Sequence, residues 1–340
     1  MYGRRIVLST MGKTTMDDVA DHAGVSRALV SLVMRDSPRV SDHSRAKVLA
    51  SAAELDYRPN AWARNLASGQ TNLIGVLLND LHNPYFAGLA EGVAAAATEN
   101  GMEVLMTSGW QREAGENAAI ETLLNLRTDG IVIGAARFGD EVFTEMAQQI
   151  PTVAVANFHK PDSMDTLCND EAYGSELVVK HLVSLGHARI AHIDAGNSPG
   201  GPERRKGFST AMAAHGLAPI VFEGDFDEHA AREASIEIMK LKDPPTAIFA
   251  ANDLAASGVI AHLRSIGVRV PDDVSVVGYD DTVLAGLGAI SLTTVNQPLQ
   301  MYGRRAAELL IERINGRNEA KHEFIRPSLV VRSTTGPVPT

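Results

Sequence analysis

Cysteine is nearly absent. Cys168 is the only one in 340 residues, so no internal disulfide can form and a cysteine-based metal site is excluded. The thiol reads as half-buried and inert, and the compartment as reducing, which makes the expected location cytoplasmic. No apolar run approaches the length that spans a bilayer. Residues 1–14 do not form a signal peptide, because Ile6-Val7-Leu8 is too short for an apolar core and no cleavage pattern follows. Enzyme signatures are missing too. The run from Gly196 to Gly201, GNSPGG, has neither GxGxxG spacing nor a Walker lysine, and there is no nucleophile elbow or HExxH. His181, His187 and His192 are not at metal spacing on one helix face, so structural roles are expected for them, with neither metal nor cofactor.

The charge that is present is uneven. Residues 1–71 hold ten Lys and Arg against seven Asp and Glu, a net of +3, which leaves −13 for the rest of a chain totalling −10. A mildly basic head on an acidic body suits nucleic acid at one end only. Tight binding should then need two heads together.

The sharpest pattern lies in 15–71. Val19, Ala20 and Ala23, followed by Gly24-Val25, predict a short amphipathic helix ending at a glycine. Ser26 is placed to cap a second helix over about 27–35. Helix, glycine turn and helix is the outline of a helix-turn-helix, an outline shared with plain three-helix interaction bundles. A third helix is predicted over 41–56, with Ser41 as cap and Val48, Leu49, Ala52, Ala53 and Leu55 as its apolar stripe. Tyr57-Arg58-Pro59-Asn60 ends it, and Asn60 can cap the segment AWARNLAS before Gly69. About eight residues are too few to hold a helix in water, so this segment should fold against a partner. Arg64 and Leu66 suit a DNA minor groove, one as a cation for phosphates and the other as a wedge between base steps.

From Leu73 onward, apolar strand-like runs (LIGVLLN, MEVLM, GIVIG, TVAVA, then RIAHID, VFEG, TAIFAA, VSVVGYD, LTTV and SLVVR) alternate with helices. That implies parallel sheets covered on both faces. The strands are too many for one unit, and a Pro/Asp-rich stretch at 159–165 separates two runs, so two doubly wound lobes are expected. Ligands sit outside the carboxyl ends of such strands. Those ends carry Asn79, Asp80, Asp194, Asn252, Asp253, Asp280, Asp281 and Gln297. Acceptors and amides with few cations suit a neutral, hydroxyl-rich ligand, although Asp253 and Asp281 also read as helix N-caps.

The stretches DVADHAGVS, VSLV, RVSDHSRAKVLASAAELDYRPN and NLASGQTNLIGV resemble the LacI/GalR family of transcriptional regulators. The resemblance runs from about Thr15 to the C-terminus and is most specific over 15–71. It implies that the helix starting near Arg27 lies in the major groove, with Arg27, Ala28 and Leu32 at base-reading positions and Thr15, Ser26, Leu29 and Ser31 beside them. It also implies that Asn60, Ala63, Arg64 and Leu66 form a hinge helix, Leu66 entering the minor groove. Two departures stand out: Leu29 where threonine is usual, and Leu32 where arginine is usual. Val30, Val33 and Met34 already supply the buried face, so Leu32 should point outward, either as a lost contact or against a thymine methyl. Trp62 is bulky for a hinge helix. Met11-Gly12-Lys13 resembles the family's usual start, which leaves residues 1–10 as a mis-assigned start or a basic arm. In the sensor, the resemblance marks Tyr85, Phe86, Arg204, Phe226, Asn252, Asp280 and Gln297 as effector contacts, with Asn79 and Asp80 beside them. Arg204 and Phe226 read alternatively as a surface ion pair and a core residue. Ala156-Asn157, Ser198 and Gly200 depart from relatives' residues, so the effector itself is not named.

The expected protein is therefore an all-α helix-turn-helix head (14–59), a hinge (60–70) and a periplasmic-binding-protein-like α/β effector domain (71–337). Its lobes would be about 71–168 plus 298–322, and about 169–297 plus 323–337. It would act as a homodimeric repressor on a pseudo-palindromic double-stranded DNA operator, controlled by a sugar or sugar derivative and without a membrane partner. A dimer is favoured because STTGPVPT has no heptads for a tetramer-forming coil. The alternative is a cytoplasmic sugar-binding or sugar-modifying protein with an accessory helical domain.

Overall fold

The computed structural model describes residues 14–57, 70–109, 112–136 and 139–339. The hinge candidates Asn60, Ala63, Arg64 and Leu66, together with Trp62 and residues 1–13, lie outside the described residues. The chain divides into two compact units at Thr71.

The first unit holds α1 (Met16–His22), α2 (Arg27–Met34) and α3 (Asp42–Glu54). Each begins at a hydroxyl cap. Thr15 forms a capping box with Asp18, and Ser26 and Ser41 accept from Leu29 N and Ser44 N. Val19, Ala20, Ala23, Val30, Val33, Val40, Val48 and Ala52 make the core. Two expectations change here. The apolar stripe of α3 is narrower than its sequence implies: Val48, Ser51 and Ala52 are buried, while Leu49 and Ala53 are exposed. Two short helices can cover only one narrow side of a third. Leu32 does not simply point outward either. Like Leu29, it is half-buried and packs on the head's core.

The second unit contains two six-stranded sheets. The first has the order β11-β5-β4-β3-β1-β2, from β1 (Leu73–Leu78), β2 (Glu103–Ser108), β3 (Gly130–Gly134), β4 (Thr152–Val155), β5 (Asp165–Asn169) and β11 (His322–Ile325), all parallel. The second has the order β12-β10-β9-β8-β6-β7, from β6 (Ile190–Ile193), β7 (Ile220–Phe222), β8 (Ala247–Ala250), β9 (Ser275–Asp280), β10 (Thr293–Asn296) and β12 (Ser328–Val330). Near-continuous apolar strands leave both faces of each sheet needing cover. On the first sheet α4 (Pro84–Glu99) and α12 (Leu299–Ile314) cover one face, and α5 (Glu113–Asn125) and α6 (Asp140–Gln149) the other. The second sheet is covered by α7 (Glu171–Ser184) and α8 (Gly201–Ala214) on one face, and by α9 (Glu228–Met239) and α10 (Asp253–Ser265) on the other. The short α11 (Val283–Gly286) follows β9. The chain passes between sheets after β5, after β10 and after β11, so α12 returns to the first lobe as expected.

Three details correct the sequence reading. Strands β5 and β11 were not expected. Because β11 pairs in parallel with β5 (His322↔Thr166 to Ile325↔Asn169), the first lobe runs to Ile325, past the expected end at 322. And β12 is antiparallel to β10, because it starts at the third crossing and must run away from the other lobe.

Candidate functional site

The carboxyl ends of both sheets border one cleft. Its base on the second lobe is Arg204, one turn into α8, whose burial is nearly complete. Asp170 caps α7 by accepting from Tyr173 N at 3.0 Å. That places Glu171 in the first helical turn, where the dipole favours a carboxylate. Arg204 Nε and Nη2 donate to the two Glu171 oxygens at 2.9 and 3.1 Å, and Nη1 donates to the Ala251 carbonyl. The guanidinium carbon lies 3.5 Å from the Tyr279 ring centroid and 5.5 Å from that of Phe226. The Arg204 carbonyl accepts from Ser175 Oγ at 3.0 Å, tying α8 to α7. Arg204 is thus neither a surface ion pair nor a mobile arm. Asp280 ends β9 with φ 106°, a conformation costly for a side-chain-bearing residue. Gln297 Nε2 donates to Asp280 Oδ1 at 2.6 Å. Burial pushes the Asp280 carboxyl well above the ordinary carboxylate range, against the pull of Arg204.

The first lobe contributes Asn79 and Asp80, directly after β1. Asp80 Oδ1 accepts from His82 N at 2.8 Å, turning the chain toward Asn83, which caps α4 through Tyr85 N at 3.0 Å. Pro84 follows in the first turn of α4, where its lack of an N–H costs nothing. Tyr85 and Phe86 then border the cleft edge to face, 5.1 Å apart. Phe226 serves two ends at once, packing on the second lobe's core and lining the cleft.

Of the nine expected effector contacts, Asn252 alone is off the cleft wall. It is fully buried; its Oδ1 caps α10 through Ala255 N at 2.8 Å, and its Nδ2 donates to the Phe226 carbonyl at 3.3 Å. It positions Phe226 instead. The expected caps Asp253 and Asp281 are not caps. Asp253 is the first helical residue of α10 and accepts from Thr282 N, Thr282 Oγ1 and Thr294 Oγ1 at 2.6, 2.9 and 2.6 Å. Asp281 pairs with Arg332 at 2.6 Å, and Thr282 precedes α11. Asp194 is held by Arg205 at 2.7 Å. Glu171, Asn83 and Asp225 line the cleft unforeseen. Glu171 follows the unexpected strand β5, so no strand end pointed to it, whereas Asp225 stood beside Phe226 in plain view. Cys168 is fully rather than half buried, and burial, with Glu171 nearby, pushes its thiol up to about 12.

In the head, Ser26, Arg27 and Ala28 are exposed at the start of α2, with Ser31 half-buried. The Thr15 hydroxyl is engaged with Asp18 at 2.7 Å. Residues 15–60 match the family described as bacterial regulatory proteins, lacI family, and residues 179–335 match a periplasmic binding protein-like domain. HTH-type transcriptional regulator DegA of Bacillus subtilis is 33% identical over 337 residues, 96% of this chain and 100% of that protein. The chain belongs to the LacI family. Among solved structures, a lac repressor dimer bound to operator and the anti-inducer ONPF is 28% identical with a TM-score of 0.85, covering 96% of this chain and 100% of that one. A complex of the transcriptional regulator CelR with cellobiose is 29% identical with a TM-score of 0.71, covering 94% and 99%. As a LacI-family protein, the chain is a helix-turn-helix transcriptional regulator with a small-molecule effector domain, and its relatives are regulators rather than enzymes. That sets aside the sugar-modifying alternative. Among the described residues, no helix is long and apolar enough to cross a membrane.

Proposed function

We propose that this LacI-family regulator is a homodimeric repressor whose operator affinity is set by a sugar or sugar derivative bound between the two lobes. The observation that carries this reading is the cleft, where carboxylates, amides and one buried guanidinium converge beside Tyr85, Phe86 and Phe226. Rings to stack on and acceptors to fix hydroxyls suit a polyol. Asn79 Oδ1, buried and without a hydrogen-bond partner among the described residues, offers an acceptor to a ligand hydroxyl. Cellobiose in the CelR complex and the operator-bound lac repressor dimer support the same class of ligand and assembly. Arg27, Ala28, Ser26 and Ser31 would face the major groove, with Thr15, Leu29 and Leu32 setting the pose of α2. Asn60, Ala63, Arg64 and Leu66 would form the hinge that folds on DNA. Ligand closing the lobes would misplace that hinge, and a coupling of about 1–3 kcal/mol changes affinity roughly 5–150-fold.

Titrating the purified protein against its own upstream DNA at fixed ionic strength tests this. Leu66→Ala should cut specific binding while leaving weak nonspecific binding; undiminished specific binding would refute the hinge. Arg204→Ala and Asp280→Ala should each abolish the response of the complex to its effector. A response unchanged in both would place the ligand elsewhere.

A further inference from the structure

We infer that Asn169 and Tyr279 are positioning residues that latch the two lobes together behind the cleft and hold Arg204 in one pose. Neither lines the cleft, and both are buried. Asn169 is the last residue of β5, in the first lobe's sheet, where it pairs with Ile325. Tyr279 stands in β9, in the second lobe's sheet, next to Asp280. Asn169 Nδ2 donates to Tyr279 Oη at 2.5 Å, so this bond joins one sheet to the other. The face of the same Tyr279 ring carries the Arg204 guanidinium at 3.5 Å. Two residues on from Asn169, Glu171 forks that guanidinium at 2.9 and 3.1 Å. The first crossing between the lobes therefore holds Arg204 twice: directly through Glu171, and through the Tyr279 ring by way of Asn169.

The fold makes room for the Tyr279 hydroxyl. Gly174 lies within α7, and a Cβ there would stand 2.2 Å from Tyr279 Oη. Glycine inside a helix weakens it relative to alanine, so α7 loses stability where the hydroxyl needs space. An apolar pair of similar shape at 169 and 279 would be close to neutral for stability. What the polar pair adds is direction. Rotation of one lobe against the other about the crossings moves β5 against β9 and stretches this bond, so the bond weights the pose in which it is made. A neutral hydrogen bond weights such an equilibrium roughly 2–13-fold. Its bearing on DNA rests on the reading in which lobe closure carries the response, and not on the ligand being a sugar.

The test uses the ligand-free, full-length protein carrying Gln148→Cys on α6 and Glu233→Cys on α9, two exposed positions, one in each lobe. Spin labels on the new thiols report the lobe-to-lobe distance by double electron–electron resonance, with labelled chains diluted in unlabelled protein so that distances stay within one protomer. Cys168 is buried and escapes the label. Tyr279→Phe removes one oxygen and keeps the ring under Arg204. It should lower the share of the latched pose relative to others roughly 2–13-fold. Asn169→Leu should do the same, and the two together should do no more than either alone. A role confined to stability would lower the urea midpoint and leave wild-type distances. Wild-type distances in folded Tyr279→Phe overturn the inference, and so do shifts that add in the double variant. Should Asn169→Leu not fold, Tyr279→Phe decides. Operator affinity of Tyr279→Phe without ligand keeps the two readings apart: shifted distances with wild-type operator affinity uphold the latch and refute lobe closure as the control on DNA.

Discussion

Arg204 and Glu171 answer each other's buried charge, so neither can be lost alone without exposing the cost of the other. The Arg204 head is forked along one edge by a bidentate carboxylate and lies over the Tyr279 ring. Arg204→Met would leave Glu171 charged or force it to take up a proton, at a cost of about 3–5 kcal/mol. Arg204→Met with Glu171→Met should recover a large part of that loss, since an apolar pair removes the orphaned charge. Urea unfolding of the three variants followed by circular dichroism checks this, with losses that merely add as the contrary result. Asn252 belongs at the same scale. It looked like a ligand contact because it ends a strand, yet both of its amide atoms are already engaged by the α10 cap and by Phe226.

Between elements, the closest approach lies where α12 crosses α4. A Cβ at Gly303 would stand 1.9 Å from the Leu89 carbonyl oxygen, and one at Gly92 would stand 2.1 Å from that of Gln300. Backbone cannot yield as a side-chain tip does. Gly303→Ala should therefore lower stability by about 1–3 kcal/mol or more, in the range of overpacked cores, and a wild-type denaturation midpoint would contradict the packing. The C-terminal end of α12 is held differently. Arg313 reaches Asp165 at 2.9 Å, and Arg317 binds the same fully buried carboxylate. That cluster explains why β5 escaped a hydropathy reading: its first residue is charged, and ion pairs rather than apolar contacts permit its burial. In the head, Thr15→Ala should remove the capping box of α1 and cost about 0.5–2 kcal/mol, measurable by thermal unfolding of residues 14–57.

At the level of the whole molecule, buried titratable groups tie stability to pH. His192 is enclosed by Phe208 and Phe249, stacked 4.5 Å from the latter, and its Nδ1 donates to the Phe249 carbonyl, 2.9 Å away. Burial pushes it down from 6.5 to about 4. The unfolded chain then binds a proton that the native state refuses across that window. The contribution is present above pH 6.5 and is lost as pH falls toward 4, on the order of 3 kcal/mol. Asp253, pushed up to about 7 by burial, works the other way: its contribution is present below its ordinary 3.8 and is lost as pH rises through 7. Comparing wild type with His192→Gln isolates the first. The stability difference between them should shrink on going from pH 6.5 to 4, and a pH-independent difference would show that the ring is not held neutral.

What the chain's order of residues settles alone is local and periodic. Ser26, Ser41 and Thr15 start helices because their hydroxyls reach the first free N–H groups, and apolar runs such as LIGVLL can rest only in a sheet covered on both faces. Strand ends followed by Asn79, Asp280 and Gln297 pointed to the cleft for the same reason. Partnership was left to the tertiary structure. That Asp165 can be buried, that Asn252 faces a cap rather than a ligand, and that Glu171 takes up the charge of Arg204 all depend on groups far away in the chain. The burial of a polar group is decided by whichever partner the fold brings within reach, and no spacing along the chain records that distance.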